Sequence, residues 1–185
     1  MKPLAIDLFC GLGGWTDGLL AEQWEVIGFD IERHRYPLYA RLRDDGTKVG
    51  GIDFNGYGTP GYKPVAFNGT AEKRMREASR GEQIGWQEYP AQLVLQDVLT
   101  LHGRQFKDAA LIVASPPCQA YSYRAMPWKR AKALPPPDNS LFEACFRIQR
   151  EACEAAGRHI PLVVENVRGA QKWVGRARWN FGSFY

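Results

Sequence analysis

Three short runs of this 185-residue chain carry side chains able to make and break bonds. In Ser115-Pro-Pro-Cys-Gln-Ala-Tyr-Ser122 two prolines fix φ and remove backbone donors, so Pro117 holds Cys118 in a stiff turn. A thiolate held there is a strong nucleophile if nearby cations or helix dipoles lower its pKa. In Val163-Val-Glu-Asn-Val167 two valines predict the end of a buried strand, which delivers Glu165 to a sheet edge. Partial burial raises a carboxyl pKa, so Glu165 could present a proton to a ring nitrogen. In Asp7-Leu-Phe-Cys-Gly11-Leu-Gly13-Gly14 the glycines follow an apolar run. Such a turn lets the backbone approach a ligand, with helix N–H groups facing it.

These groups act together only if a scaffold brings them to one place. Pro3–Phe9 is a short apolar run that ends in the glycine turn and predicts a buried strand. Trp15–Gln23 has helical spacing. Trp24–Phe29 predicts a second strand closing on Asp30, followed by a helix to about Leu42. Strand signals return at Gln92–Leu95 and Ala110–Ala114. Ser140-Leu-Phe-Glu143 has capping-box spacing and opens a helix that should run to about Ala156 and stop at Gly157. Pro161–Val164 is a further strand. The alternation predicts an α/β fold, a doubly wound and mostly parallel sheet with ligands at the carboxyl ends of its strands. All 185 residues form one expected domain with two interruptions. One is an insertion over about 45–90, rich in Gly, Tyr, Asn and Pro, read as a hairpin or lid with a small helix at Ala71–Arg80. The other is a basic mobile loop over about 119–138.

Composition narrows the function classes. Hydrophobic residues make up 45% and charged residues 24%, as in a soluble globular protein. No apolar run approaches a membrane span, and an acid stands at position 7, so no membrane partner and a cytoplasmic location are expected. Four cysteines without a Cys-x-x-Cys pair, and three histidines, argue against a metal site. Cys10, Cys145 and Cys153 read as small buried hydrophobes, the usual fate of a free thiol. The net charge of +4 is spread unevenly. Arg168, Lys172, Arg176 and Arg178 meet no acid before the last residue. Arg124, Lys129, Arg130 and Lys132 form a second unopposed group. Both suit a phosphate backbone.

Taken in order, the motifs resemble the DNA (cytosine-5) methyltransferase family. DLFCGLGG resembles its first cofactor loop, and Asp30-Ile31 sits where its acidic second motif falls. Gln96-Asp97-Val98 resembles the third motif, SPPCQAYS the nucleophile loop and ENV the glutamate motif. The resemblance covers most of residues 3–43 and 92–167. It implies a Rossmann-like fold of the S-adenosylmethionine-dependent type, with S-adenosylhomocysteine as product and no metal. It implies that Phe9 and Ile31 flank the adenine, with Asp97 and Val98 also at the adenine end. Asp30 would meet the ribose, and Gly11, Gly13 and Gly14 the methionine end. Cys118 would add to C6 of a cytosine flipped out of double-stranded DNA, with Glu165 at N3 and Pro117 shaping the loop. Gln119, Ser122, Arg124, Arg176 and Arg178 would touch nucleic acid, and Tyr121–Lys132 would be the loop that closes over the strand.

Family members also carry a target-recognition region and a final helix after these motifs, and neither is found before Tyr185. Arg176-Ala-Arg178 echoes the family's Gln-x-Arg-x-Arg, with Val174 at the Gln position. The expectation is therefore a fragment, a reduced form, or half of a split enzyme whose second chain supplies what is missing. Two alternatives share the motifs: cytosine-5 methylation of RNA, and a truncated inactive paralogue that only binds nucleic acid. Amino-group methylation fits poorly, because its Asn/Asp-Pro-Pro-aromatic loop is here Ser115-Pro-Pro-Cys118.

Overall fold

A computed structural model describes residues 1–42, 48–52, 83–121 and 135–180. The described strands are β1 (Leu4–Leu8), β2 (Glu25–Asp30), β3 (Tyr36–Leu42), β4 (Lys48–Ile52), β5 (Gln83–Gln87), β6 (Gln92–Leu95), β7 (Leu111–Ala114) and β8 (Leu162–Val164). The described α-helices are α1 (Gly14–Ala21), α2 (Ser140–Ala156) and the short α3 (Gln171–Val174). The chain divides into two compact units, Met1–Arg33 with Tyr89–Tyr185, and His34–Glu88.

The first unit is built on a five-stranded sheet in the order β6-β2-β1-β7-β8. Every neighbouring pair in it is parallel. The chain steps outward from β1 to β2 and β6, then crosses to β7 and continues to β8. This is the doubly wound α/β arrangement, with its switch point between β1 and β7. The register pairs Leu8 with both Phe29 and Ala114, and Ala114 with Val164. The carboxyl ends of four strands therefore reach one edge together.

Side-chain alternation along β1 sends its residues to opposite faces. Ile6 and Leu8 join Ile112, Ala114 and the Cys145, Ile148 and Ala152 stripe of α2 in the main core. Phe29 and Phe106 meet edge-on there, with centroids 5.1 Å apart. Asp7 points the other way and meets Thr16 on α1. The two helices thus cover the two faces. At the end of α2, Gly157 takes the left-handed conformation at the position expected. Its start differs from the capping-box reading: the Ser140 N–H donates to the Asp138 carboxylate at 2.8 Å, and Asn139 occupies the N-cap. This contact holds the Asp138 pKa below the ordinary carboxylate value.

Two further expectations change. The helix expected up to Leu42 is instead β3, the central strand of an antiparallel sheet ordered β4-β3-β5. Tyr36-Pro-Leu-Tyr has a proline without a backbone donor and aromatic residues suited to a pleated surface. Pairing with two neighbours then overrides the local spacing. Within this second unit the Arg35 guanidinium lies 4.4 Å from the Trp86 ring centroid and 2.8 Å from the Glu88 carboxylate. The unit begins at His34, upstream of the Asp45 read from composition, and Ala71–Arg80 lies outside the described residues. The strand delivering Glu165 is also not fully buried. β8 is an edge strand, and Val163 is 42% exposed. Among the described residues no helix is long and apolar enough to cross a membrane.

Candidate active site at the carboxyl edge of the sheet

The loop after β7 and the loop after β8 leave adjacent parallel strands at the same edge. The sheet ladder continues one step past each strand. Ser115 N donates to the Leu8 carbonyl at 3.2 Å, and Glu165 N donates to the Ala114 carbonyl at 2.9 Å. The loops are then joined by a side chain. Asn166, 3% exposed, donates from Nδ2 to the Pro116 carbonyl at 2.8 Å, while its Oδ1 accepts from Val167 N. Pro116 is buried, Pro117 exposed and Cys118 half-buried. The Cys118 carbonyl accepts from Tyr121 N at 2.9 Å, which closes a tight turn just beyond the thiol. Burial raises the Glu165 pKa, and a hydrogen bond from the Ser115 side chain opposes the shift.

Tyr121 was expected to begin the mobile loop, but it is a buried anchor. It is 3% exposed, its hydroxyl donates to Asn139 Oδ1 at 2.8 Å, and its ring packs edge-on against Phe142. With Phe142 and Ala170 it forms a second apolar cluster, against which Val164 and Val167 pack. Aromatic surface of this size stays buried when it can reach a polar partner for its hydroxyl. Ser122, Arg124 and the basic stretch through Lys132 lie outside the described residues, and Gln119 is exposed.

The glycine loop follows β1. Phe9, Gly11 and Gly13 all have positive φ, at 57°, 53° and 90°. Gly13 is the N-cap of α1 and makes no side-chain cap. The first-turn N–H groups of α1 therefore have no side-chain acceptor, and an anion can fill that role. A Cβ placed on Gly11 or Gly14 would meet nothing within 4 Å, whereas one on Gly13 would lie 2.7 Å from Pro90 Cδ. The loop is open outward and closed behind. Ile31 is 72% exposed beside it. Asp30 spends both carboxylate oxygens on the backbone: Oδ2 accepts from Gly11 N at 2.9 Å and Oδ1 from Ile31 N at 2.8 Å. It fastens the loop to the end of β2. Asp97 caps the 3₁₀ turn Val98–Thr100 by accepting from Leu99 N, and Val98 is 3% exposed in the core. The Val98 side chain thus packs inward, and Asp97 is the part of that pair nearer solvent.

A third feature lies after β8. Arg168, Gln171, Lys172, Arg176, Arg178 and Trp179 line a concavity of about 660 Å³, and among the described residues no acid lines it. Gln171 Oε1 accepts from Ala177 N at 3.0 Å, which sets the backbone between the two arginines. Trp179 is 73% exposed.

Several organising residues carried no signal in the sequence reading. Trp15 Nε1 donates to Ser115 Oγ at 2.9 Å, joining α1 to the loop of Cys118. Tyr89 shares a 2.6 Å hydrogen bond with Thr16 Oγ1, which in turn donates to Asp7 Oδ2 at 2.7 Å. The Tyr89 ring lies against Gly28, where no Cβ would fit. Asp7 is 1% exposed and its Oδ1 has no partner among the described residues. Burial pushes its carboxyl up to about 7, against the Thr16 hydrogen bond and with help from Asp30. Of the other thiols, Cys10 and Cys145 are placed as the buried small hydrophobes expected, whereas Cys153 is half-buried and meets polar groups. Cys10 and Cys145 are buried, and burial pushes the Cys145 thiol up to about 12 and raises Cys10 as well. Cys153 accepts from Ile160 N at 3.2 Å. Among the described residues no group of three His, Cys, Asp or Glu side chains is placed to hold a metal ion.

No family model matches the chain, and no curated protein matches it. Among solved structures it is similar to the crystal structure of S. pombe Dnmt2 methyltransferase, with a TM-score of 0.43 and 13% identity. That alignment takes in 95% of this chain and 38% of the other, so the chain spans well under half the length of that structure. A likeness at this level bears on neither substrate nor residue roles.

Proposed function

We propose that the chain is an S-adenosylmethionine-dependent methyltransferase acting on C5 of cytosine in DNA, with Cys118 as nucleophile and Glu165 as proton donor. The observation that carries this reading is the junction of the two loops: the Asn166 amide bonded to the Pro116 carbonyl, at the ends of adjacent parallel strands. The residues after β1 fit the cofactor. The open face at Gly11 and Gly14 accommodates the methionine end, the uncapped start of α1 suits its carboxylate, and exposed Ile31 offers an apolar surface to the adenine. Asp30 and Phe9 complete the cradle, and Asp97 borders it. When bound, the cofactor supplies an electrophilic methyl on sulfur.

The chemistry of the chain's own residues follows from cytosine. C5 is a poor nucleophile in the intact ring. Addition of the Cys118 sulfur to C6, with the Glu165 proton passing to N3, places electron density at C5. After C5 accepts the methyl group, its proton passes to solvent, and the electron pair left behind restores the ring double bond and expels the sulfur from C6 as the thiolate. Glu165 recovers its proton from N3 in the same phase. Burial suits Glu165 to this role because it raises the carboxyl pKa from its ordinary value and so favours the protonated form. The base must leave the duplex to reach a sulfur and a carboxyl together. The acid-free concavity at Arg176 and Arg178 is then the surface for the phosphate backbone.

The test is covalent trapping. Duplex DNA containing 5-fluorocytosine, mixed with the protein and S-adenosylmethionine, should yield an adduct that survives denaturing electrophoresis. The carbon–fluorine bond blocks the final elimination. Cys118→Ala should yield none. A matching oligoribonucleotide reports on RNA, and trapping on RNA alone would reassign the substrate. Absence of an adduct on both would leave only nucleic-acid binding.

A further inference from the structure

Two tryptophans flank the turn after α3 and meet opposite surroundings. Trp173 packs against the apolar cluster of Tyr121, Phe142 and Ala170, and the Lys172 ammonium lies 4.7 Å from its ring centroid. Trp179 is 73% exposed, and apart from Met1 no large apolar side chain among the described residues is more so. The fold thus seats one indole and leaves the other on the surface, lining the same concavity as Arg168, Arg176 and Arg178. The backbone leading to Trp179 is held in place. Gly175 N donates to the Gln171 carbonyl at 3.2 Å with φ at 105°, and Ala177 N donates to Gln171 Oε1 at 3.0 Å. Among the described residues none of the three arginines forms an ion pair, so their charge is not spent within the fold.

We infer that this concavity takes an unpaired nucleotide, its phosphate on Arg176 and Arg178 and its base stacked on the Trp179 indole. The inference rests on the reading of this surface as a nucleic-acid contact and deepens it by naming the form of strand that fits. Cations alone suit the backbone of any strand, paired or not. In a duplex, however, the base faces lie against one another, and an indole beside the phosphates has no flat partner. In an unpaired segment each base offers a π-face, and stacking on an aromatic side chain adds to the attraction of the backbone charge. The volume of about 660 Å³ falls within the roughly 300–1,000 Å³ of pockets that enclose a small ligand. An acidic peptide would satisfy the arginines and leave the indole idle. DNA and RNA share the chemistry, because neither a phosphate nor a base face distinguishes the sugar. On the proposed mechanism the strand must open to release its cytosine, and a neighbouring base stacked here would keep it open.

The experiment measures binding to the whole protein by fluorescence anisotropy, without cofactor. The probes are labelled oligothymidylate, oligouridylate, an abasic phosphodiester of the same length and an intact duplex. Wild type should bind the base-bearing single strands more tightly than the abasic one. Trp179→Ala should weaken oligothymidylate binding roughly 5- to 150-fold, the scale of one base stacked on an aromatic ring, and spare the abasic strand and the duplex. Trp179→Phe, which keeps a flat ring, should restore most of the loss. Replacing Arg176 and Arg178 together with Ala should weaken every probe, since all carry phosphates. Dependence on Trp179 for oligouridylate alone would assign the surface to RNA. An equal loss on the abasic strand, or no loss on either base-bearing strand, overturns the inference. Duplex binding that persists beside that result keeps the nucleic-acid reading, whereas no binding by any probe removes both. Because no arm needs methyl transfer, failure of that chemistry would leave the result standing.

Discussion

The side-chain amide of Asn166 reaches 2.8 Å to the carbonyl oxygen of Pro116, so one buried contact spans the two loops that carry the thiol and the acid. Both partners are buried, and Asn166 Oδ1 also holds the next backbone N–H. Its removal leaves a carbonyl and an N–H without partners in a space closed to water. Asn166→Ala should lower unfolding free energy by about 1–3 kcal/mol, the usual penalty for such groups, read from urea midpoints. Methyl transfer should fall further than stability does, because the relative placement of Cys118 and Glu165 is lost.

Glu165→Gln keeps the shape and removes the transferable proton. Methyl transfer should drop about 10²- to 10⁴-fold, the usual scale of acid–base assistance. On the proposed mechanism the acid must be protonated, so activity should fall as pH rises through its pKa, which burial raises from the ordinary glutamate value. The substitution should remove that limb of the profile. A folded pKa above the unfolded one means a stability contribution present at low pH and lost as pH rises. The glutamine variant should therefore be no less stable than wild type near neutrality.

Asp7 makes a stronger pH prediction. Its carboxyl rises from 3.8 unfolded to about 7 in the fold, because burial disfavours the charge. Below about pH 4 the protonated form is common to both states and costs nothing. Between about pH 4 and 7 the unfolded chain ionises while the folded one resists, so stability is lost as pH rises, by up to about 4 kcal/mol in all. Chemical denaturation at pH 5 and pH 8 should show the decline, and Asp7→Asn should flatten it. An equal slope in both proteins would remove Asp7 as its source.

The two arginines of the concavity should act through charge. Replacing Arg176 and Arg178 together with Ala should weaken duplex binding across unrelated sequences alike. It should also reduce the slope of log affinity against log salt by about 2, near one per phosphate contact. Fluorescence anisotropy at several salt concentrations measures both. Loss confined to one sequence would instead indicate base reading.

Gly11 and Gly13 separate two costs of a side chain in the glycine loop. Both have positive φ, which an L residue adopts with strain, but only Gly13 has atoms in the way. Gly11→Ala should cost about 1 kcal/mol of stability. Gly13→Ala should cost more, since Pro90 must shift. Either should weaken binding of S-adenosylhomocysteine, measured by calorimetry.

Much of the sheet could be read from sequence because buried parallel strands appear as apolar runs closed by distinctive turns. Leu4–Leu8, Glu25–Asp30, Gln92–Leu95 and Leu111–Ala114 all fall inside or beside the predicted runs. The helix before Gly157 was legible from its apolar stripe and its glycine. Residues 36–42 were misread because seven mixed residues fit either period, and strand pairing across a long insertion decided the matter. The long-range hydrogen bonds were invisible for a different reason. Trp15 and Ser115 are 100 residues apart, Thr16 and Tyr89 are 73, and no local pattern marks a donor for a distant acceptor. Asn166 stood in plain view beside Glu165, yet its task depends on a carbonyl 50 residues earlier.

Because β8 is an edge strand and the last in sequence of the described strands of this sheet, its docking has a place in time as well as in space. On the ribosome β1, β2, β6 and β7 emerge first and can form a sheet around the glycine loop while the acid is still unsynthesised. A parallel edge strand gains its partners only by long-range closure, which is slow compared with helix formation. During that interval the nascent chain carries Cys118 without Glu165 beside it, and the two come to one edge only when β8 pairs with β7.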